Sequence, residues 1–273
     1  MPLKIFDAVS FQKIITLGGS TNPWRVMVCD EKGVLREFVV KLFTERQMEQ
    51  QHPIAKEMFG NVLAREFDLP VSEVGLVHFS NKFIELLPSE AKKQLDGKDS
   101  GLKFGCEWRA MSIVDPSNLK SILKDYDLAT VFAFDNFVFN LDRGGYRKKP
   151  NLLIDDEDFL LIDHEQIFPF ADDVDNDNSK IIQDFQEGIW HYPADKHLFH
   201  PHLYKMRKNA KSEIFDTFWS YLQSLNVVAL REMAYFLASQ NISIGNFALV
   251  EQYVQKIKAN PDKFCNLLTQ KII

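Results

Sequence analysis

Residues 134–154 read FDNFVFNLDRGGYRKKPNLLI, and the run LIDH follows at 161–164. Apolar residues at helical spacing predict a long helix that ends near Phe139, at the start of a polar loop. The two short apolar runs after the loop flank an acidic turn and predict a β-hairpin. The pattern therefore places Asp142 on the loop, Asn151 before the first strand of the hairpin and Asp163 at the end of the second.

Asp142, Asn151 and Asp163 together offer the oxygen atoms that phosphoryl transfer requires. That reaction needs a carboxylate to orient or deprotonate the attacking hydroxyl and hard oxygen ligands for Mg²⁺. In protein kinases the corresponding Asp and Asn lie about five residues apart, whereas the spacing here is nine residues. We expect the extra residues to bulge out without moving either end. Taken alone, an Asx-capped loop and a hairpin explain the segment equally well.

Three earlier elements extend this interpretation. A glycine-rich turn, residues 18–22, lies between predicted strands, where its N–H groups and hydroxyls can approach phosphate oxygens. Lys41 in the apolar strand FVVKLF needs a counter-charge, and Glu57 on the next predicted helix, 52–67, can supply it. Taken alone, the glycine-rich turn is also explained as a plain hairpin, and Lys41 as an edge-strand lysine whose ammonium reaches water. Their kinase-like order favours a nucleotide site.

The rest of the chain predicts an α+β protein with two lobes. Strands are expected from Ile14 to about Phe43 and again at LPVSEVGLVHF and KFIELLP, whereas the chain after about residue 179 is mainly helical. The polar stretch 89–103 is expected to be an exposed loop at the lobe boundary. We therefore predict an N-terminal nucleotide-binding lobe, 1–100, and a C-terminal catalytic lobe, 101–273.

Composition and charge narrow the functional classes. The 273 residues are 45% hydrophobic and 26% charged, with a net charge of −6. This balance predicts neither nucleic acid nor an anionic membrane as a partner. Cys29, Cys106 and Cys265 form no CxxC pair, which disfavours a disulfide or zinc framework. Without an apolar run of about 18 residues, we expect a cytoplasmic protein with no membrane span.

The sequence resembles the HipA-like kinase family, relatives of the HipA toxin kinases and of phosphatidylinositol kinases. The resemblance runs from about residue 15 to 170 and rests on GGSTNP with FVVKLF, KEMFGNVLAREFDLPVSE, SGLKFG, and FDNFVFNLDR with KPNLLI and LIDH. It implies a two-lobed protein-kinase-like fold, with a small β-rich N-lobe containing one key helix and a larger, mainly helical C-lobe. It also implies ATP and Mg²⁺ as cofactors.

The resemblance further implies roles for individual residues. Asp142, with Arg143 beside it, would be catalytic, and Asn151 and Asp163 would be metal ligands. Backbone groups between Phe104 and Trp108 would bind adenine. The nucleotide-binding residues that it implies are Gly18, Gly19, Ser20, Thr21, Asn22, Lys41, Glu57, Phe104, Gly105 and Cys106.

Two departures from the family pattern keep alternatives open. The loop between Asp142 and Asn151 is long, and Glu165 stands where a glycine is expected. The leading prediction is a protein serine/threonine kinase with an unidentified acceptor, most readily a protein, and with a regulatory protein partner as a further option. The alternatives are a catalytically weak or inactive kinase-like binding module, AMP transfer, or a lipid or small-molecule acceptor.

Two other patterns have weaker interpretations. The acidic run 173–178 resembles the start of an EF-hand, but its glycine and closing glutamate are missing, so a solvated loop is favoured. Four histidines, His191, His197, His200 and His202, cluster without thiols or an HExxH pattern. The sequence therefore does not favour a zinc site there.

Overall fold

The computed structural model describes residues 4–16, 22–115, 127–144, 149–156, 158–173, 179–206, 211 and 213–273. Strands predominate in the first part and helices in the last, which confirms the predicted α+β class. The strands are β1 (Ile5–Ile14), β2 (Trp24–Cys29), β3 (Leu35–Lys41), β4 (Val74–His78), β5 (Lys103–Glu107), β6 (Ser112–Ile113), β7 (Leu152–Ile154) and β8 (Phe159–Leu161). The helices are α1 (Glu45–Gln51), α2 (Pro53–Glu66), α3 (Asn81–Glu85), α4 (Ser89–Leu95), α5 (Leu128–Phe137), α6 (Lys180–Glu187), α7 (His200–Lys205), α8 (Asp216–Ser224), α9 (Val227–Ser239), α10 (Phe247–Lys258) and α11 (Pro261–Ile272).

Strands β1 to β5 close into a barrel in the order β1-β2-β3-β5-β4. Neighbouring strands are antiparallel except for the parallel pair β1 and β4. Alternate residues of the strands point into the barrel, where Phe6, Trp24, Phe38 and Val77 are fully buried. The remaining residues of each strand point to the outside of the barrel. The first strand begins at Ile5, before the start at Ile14 that the sequence predicted.

Two segments differ from the sequence prediction. The first four residues of KFIELLP, predicted as a strand, belong to α3, because the Ser80 hydroxyl accepts a hydrogen bond from Phe83 N–H and caps a helix there. The stretch 89–103, predicted as an exposed loop, contains α4, whose Ala91 is buried against the barrel. Strand β5 follows residue 100, so barrel residues lie on both sides of the predicted lobe boundary; the division into lobes stays a prediction.

Helix α2 joins the barrel to the helical part. Pro53 occupies its first turn, where a missing N–H costs nothing, and the helix is buried along nearly its whole length. Helix α9 packs against it, and Phe67 at its end stacks on Phe218 of α8 with ring centroids 4.7 Å apart. The fully buried α5 is the centre of the helical part. Helix α2 is therefore held from both sides, which fixes the position of Glu57.

A small second sheet lies beside the barrel. It has the order β6-β7-β8, with β7 and β8 forming the hairpin that the sequence predicted. Leu161 of β8 is tied to the segment before β4 through its N–H bond to the Pro70 carbonyl, 2.9 Å long. Asp163 follows β8 directly. None of the helices in the described part of the chain has the length and apolar character needed to cross a membrane.

Gly60 is required where α2 passes the segment after β8. A Cβ atom on Gly60 would lie 2.4 Å from the Cβ of His164. We predict that Gly60→Ala lowers the free energy of unfolding by up to about 2 kcal/mol, because overpacking costs about 1–3 kcal/mol and the helix preference of alanine offsets roughly 1 kcal/mol of that cost. Urea denaturation measures the change.

Gly101→Ala is the matched control, since Gly101 is exposed and its added Cβ would meet only the side-chain carboxylate of Asp99, no closer than 3.2 Å. A Gly60→Ala protein as stable as the wild type would contradict the close approach of α2 to His164.

Candidate active site

A cavity of about 830 Å³ opens between the barrel and the second sheet. Its barrel wall is formed by the outward-facing residues of β3, β4 and β5, and its opposite wall by apolar side chains of the second sheet. The charged groups clustered at one end of it come from β3, α2 and the end of β8, and Lys13, Glu107 and Arg109 line it as well. The lining residues that matter for the site are Val39, Lys41, Glu57, Val74, Phe104, Cys106, Leu153, Leu161 and Asp163.

The Lys41 ammonium is surrounded by carboxylates at one end of this cavity. Its Nζ donates to Glu57 Oε1 in a short contact, to Asp163 Oδ1 at 2.6 Å and to Glu165 Oε2 at 3.3 Å. The second oxygen of Glu57 accepts the His164 backbone N–H at 3.0 Å. Glu57 therefore joins strand β3 to the segment after β8, and the pairing of Lys41 with Glu57 expected from the sequence is present.

The carboxylates fix the charge of this cluster. Burial alone lowers the pKa of Lys41, but Asp163, Glu57 and Glu165 more than offset it and raise the pKa well above its usual value. Asp163 is also stabilised in its charged form: Lys41 outweighs the effect of burial and lowers the carboxyl pKa. Burial raises the pKa of Glu57 to about 7, against the pull of Lys41. Lys41 is therefore a permanent cation with an excess of negative charge around it.

Asp142 and Asn151 lie in contact despite their nine-residue spacing. Asn151 Nδ2 donates to the Asp142 side chain at 3.2 Å and to its carbonyl at 3.3 Å. The ends of the intervening loop are closed by the Gly144 N–H bond to the Lys149 carbonyl, 2.6 Å long. Gly144 has φ +91°, and a Cβ there would meet Leu198 N at 2.5 Å. Because this hydrogen bond closes the loop, the extra residues between Asp142 and Asn151 do not separate the two side chains.

A lysine faces this pair. Lys149 Nζ lies 3.1 Å from Asp142 Oδ2, and its charge also helps to lower the pKa of Asp163, after the larger effects of burial and Lys41. From the sequence, the basic run that ends at Lys149 is most simply a solvated loop, although beside a catalytic Asp it could also hold an anionic substrate. Lys149 thus connects the Asp142 end of the site to the Asp163 end.

Below the loop, a fully buried ionic network holds it in place. Asp135 of α5 accepts from Arg143 Nε at 2.5 Å, from His197 Nε2 at 2.9 Å and from Asn140 Nδ2 at 2.9 Å. Arg143 also donates to the Asn151 carbonyl. Arg143, expected to be catalytic, is completely buried and lies behind the loop, where it positions Asp142 and Asn151.

The ionisation states in this network follow from its contacts. Burial would raise the pKa of Asp135, but Arg143 and His197 outweigh it and lower that pKa. Burial lowers the pKa of His197, although its hydrogen bond to Asp135 opposes the shift. The Nδ1 atom of His197 accepts the Phe199 N–H at 3.2 Å, which leaves the proton on Nε2 facing Asp135. The network is thus one carboxylate, one guanidinium and one neutral imidazole.

Asn151 and Asp163 each offer an oxygen atom of a type that binds divalent cations, and of the two Asp163 lines the cavity. Both residues have positive φ, 44° and 66°, a conformation that Asn and Asp tolerate better than most side chains. Among the described residues, none donates a hydrogen bond to Asn151 Oδ1, and Asp163 accepts side-chain bonds only from Lys41. A carboxylate and an amide oxygen are hard ligands of the kind that Mg²⁺ prefers.

The other expected nucleotide-binding residues are distributed differently. Gly18 to Thr21 lie outside the described residues, and Asn22 is exposed, although the flanking Ile15, Thr16 and Pro23 line the cavity. Phe104 and Cys106 line it as well. Gly105 does not, because its α-carbon faces Val77 and Phe38 inside the barrel.

The backbone of the predicted adenine segment is largely engaged already. Strand β5 lies between β3 and β4, the Glu107 N–H donates to the Glu73 carbonyl, and the Trp108 N–H donates to the Glu37 carbonyl. The chain just after Trp108 also lines the cavity. The binding of adenine by backbone groups between Phe104 and Trp108 stays a prediction.

Sequence reasoning missed Asp135 and its contact with His197. A signal existed for Asp135, since an acid within the apolar helix FAFDNF needs a buried partner. Its partner His197 lies 62 residues away, and the sequence showed it only as one of several clustered histidines. Among the described residues, the group with metal-ligand spacing is Glu57, Asp163 and Glu165, without a histidine.

These features are those of a phosphotransferase fold with a lysine–glutamate pair and an Asp–Asn–Asp set. A model of the HipA-like kinase family matches residues 15–224, and the chain belongs to that family. It is also similar to the crystal structure of a Helicobacter pylori proinflammatory kinase, CtkA, over 99% of this chain and 98% of that chain, with 11% identity and a TM-score of 0.52. At this identity the likeness shows the fold alone. No curated protein matches the chain.

The neutral state of buried His197 predicts how stability depends on pH. Its pKa in the folded protein is below the usual value of about 6.5, so unfolding takes up a proton as the pH falls from about 7 towards 5. The contribution of His197 to the free energy of unfolding should therefore decrease on acidification, by up to roughly 1.4 kcal/mol per pH unit. Urea denaturation at several pH values measures it.

His197→Gln should reduce this slope, because a glutamine amide can donate to Asp135 but does not titrate. Exposed His202 provides the matched control, His202→Gln, which should keep the wild-type slope. Equal slopes in the wild type and His197→Gln would show that His197 does not carry the effect. Measurements above pH 5 avoid the titration of Asp135, whose usual pKa is about 3.9.

Proposed function

We propose that this protein is an ATP- and Mg²⁺-dependent kinase that transfers the γ-phosphoryl group to a serine or threonine hydroxyl of a protein. The observation that carries the proposal is the contact of Lys41 with both Glu57 and Asp163 at the end of a large cavity. This cluster brings together β3, α2 and the end of β8, as nucleotide phosphates require. Membership of the HipA-like kinase family supports the same reaction.

The proposed roles follow from the position of each group. Lys41 binds phosphate oxygens and is oriented by Glu57. Asn151 and Asp163 hold the divalent cation, which supplies positive charge against the phosphates. Asp142 orients the acceptor hydroxyl and receives its proton, since Asn151 and Lys149 hold its carboxylate at one end of the site.

Lys149 has a second proposed role in transfer. Its ammonium contacts Asp142 and acts electrostatically on Asp163, so it lies between the acceptor side and the metal side. A cation in this position offsets negative charge on the transferred phosphoryl group. The adenine ring is proposed to occupy the apolar part of the cavity beside Phe104 and Cys106, with its polar edge at the chain that follows Trp108.

The lobe arrangement is part of the proposal. The barrel with α2 corresponds to a nucleotide-binding lobe, and the second sheet with α5 and the later helices corresponds to a catalytic lobe. The boundary lies after β5 in this description, because β5 is hydrogen-bonded to both β3 and β4.

A nucleotide-binding module without transfer is the second candidate, and the contact between Lys41 and Glu165 favours it. This carboxylate occupies a donor of Lys41 that a phosphate would use. A weak or inactive enzyme would still retain the Lys41–Glu57 pair and the cavity. Binding and transfer must therefore be measured separately.

We predict that Asp142→Asn reduces phosphoryl transfer by about 10²–10⁴-fold while Mg·ATP affinity stays near the wild-type value, because general-base and positioning effects have this size. Asp163→Asn should weaken both transfer and Mg·ATP binding, because it removes a charged metal ligand. Transfer is measured with γ-labelled ATP and a mixture of candidate protein acceptors, including the protein itself. Binding is measured by calorimetry with a non-hydrolysable ATP analogue.

Asp7→Asn is the control, since the Asp7 side chain is 75% exposed on the barrel surface. Loss of nucleotide binding in Asp142→Asn with normal binding in Asp163→Asn would reverse the two roles. Transfer of label from α-labelled ATP to an acceptor would indicate AMP transfer instead. Nucleotide binding by the wild type without transfer of either label would leave the binding module as the function.

A further inference from the structure

Glu165 occupies an unusual place beside the lysine of the proposed phosphate site. Its side chain is only 13% exposed, and its Oε2 lies 3.3 Å from Lys41 Nζ. An ammonium offers three N–H donors. Here they face Glu57, Asp163 and Glu165. With all of them facing carboxylates, Lys41 has no donor left for a phosphate oxygen.

Of the three carboxylates, Glu165 is the one that can be exchanged. Its contact with Lys41 is the longest. Glu57 is held in addition by the His164 backbone N–H, and Asp163 lies 2.6 Å from Lys41. A second cation is within electrostatic reach of Glu165: burial lowers the pKa of Lys56, against the opposing effects of its partner Asp172 and of Glu165. Glu165 can therefore leave Lys41 without losing all cationic surroundings.

The charge balance makes this exchange depend on a divalent cation. Among the groups in direct contact with Lys41 or Lys149, carboxylates outnumber ammonium groups even without Glu57, whereas Lys56 acts on Glu165 only at longer range. The groups compared are the carboxylates Asp142, Asp163 and Glu165 and the ammonium groups Lys41 and Lys149. A free nucleotide would add several negative charges to this excess at close range. A divalent cation that binds together with the phosphates offsets both the charge of the carboxylates and the charge of the nucleotide.

We propose that Glu165 makes the cleft selective for the metal complex of its nucleotide over the free nucleotide, by occupying the Lys41 donor that a phosphate needs. The inference rests on the proposed function and adds a specificity-determining residue to it. In this view phosphate replaces the Glu165 carboxylate at Lys41 only when a cation at Asn151 and Asp163 reduces the negative charge. A glycine at position 165 would leave the Lys41 donor open in either case.

The test compares nucleotide affinity with and without metal. Calorimetric titration with a non-hydrolysable ATP analogue is done in EDTA and in saturating Mg²⁺, for the wild type, Glu165→Gln and Glu165→Gly. We expect both variants to bind the analogue in EDTA at least about tenfold more tightly than the wild type, a difference of about 1.4 kcal/mol. Their affinity in Mg²⁺ should change much less. The ratio of the dissociation constant in EDTA to that in Mg²⁺ should therefore be lower in the variants than in the wild type.

Glu73→Gln removes the same charge from a pair on the barrel surface, where Glu73 contacts Lys4 and Arg36, and should keep the wild-type ratio. An unchanged ratio in both Glu165 variants would overturn the inference while the proposed function stands. If the Glu165 variants bound the analogue more weakly than the wild type in Mg²⁺ but equally well in EDTA, Glu165 would be a metal ligand, and the inference would also be overturned. If neither the wild type nor the variants bound nucleotide in any condition, the proposed function itself would fail. Thermal denaturation of each variant confirms folding.

Discussion

The Lys41 ammonium is the interaction on which the arrangement of the site depends. An isolated buried ammonium is costly, and this one is stabilised only because α2 and the segment after β8 bring carboxylates to it. The same contacts fix α2 against β3 and hold Asp163 at the end of the second sheet. One charge thus aligns three elements that are distant in sequence, and the cavity between barrel and second sheet takes its polar end from this cluster.

A second buried charge organises the other half of the site. Asp135 on α5 holds Arg143, and Arg143 holds the carbonyl of Asn151, so the position of the loop is set from below by side chains that never face the cavity. Breaking such a pair by removing one partner leaves a buried charge uncompensated, at a cost of about 3–5 kcal/mol. The network therefore specifies loop geometry more than it adds stability.

The sequence was sufficient for features that depend on local pattern or on chemical type. Helix α2, the hairpin of β7 and β8 and the Lys41–Glu57 pair follow from periodicity and from the need of a strand lysine for a counter-charge. It was insufficient where a helix cap, or the side of the strand that a residue faces, decides the outcome. The segment KFIELLP is rich in apolar residues typical of a strand, but the Ser80 cap makes its first half part of a helix. Gly105 appears beside cavity residues in sequence, yet strand alternation turns it into the barrel.

The least predictable feature was the effect of Glu165. From the sequence it was only a missing glycine, and a missing glycine suggests altered backbone freedom. The structure shows an electrostatic consequence instead, because the added carboxylate reaches Lys41. A single residue can therefore change which charged form of a ligand the site accepts while each family motif around it is retained. Motifs define the chemistry that a site can support, but the balance of charge around them determines when the site is open to its ligand.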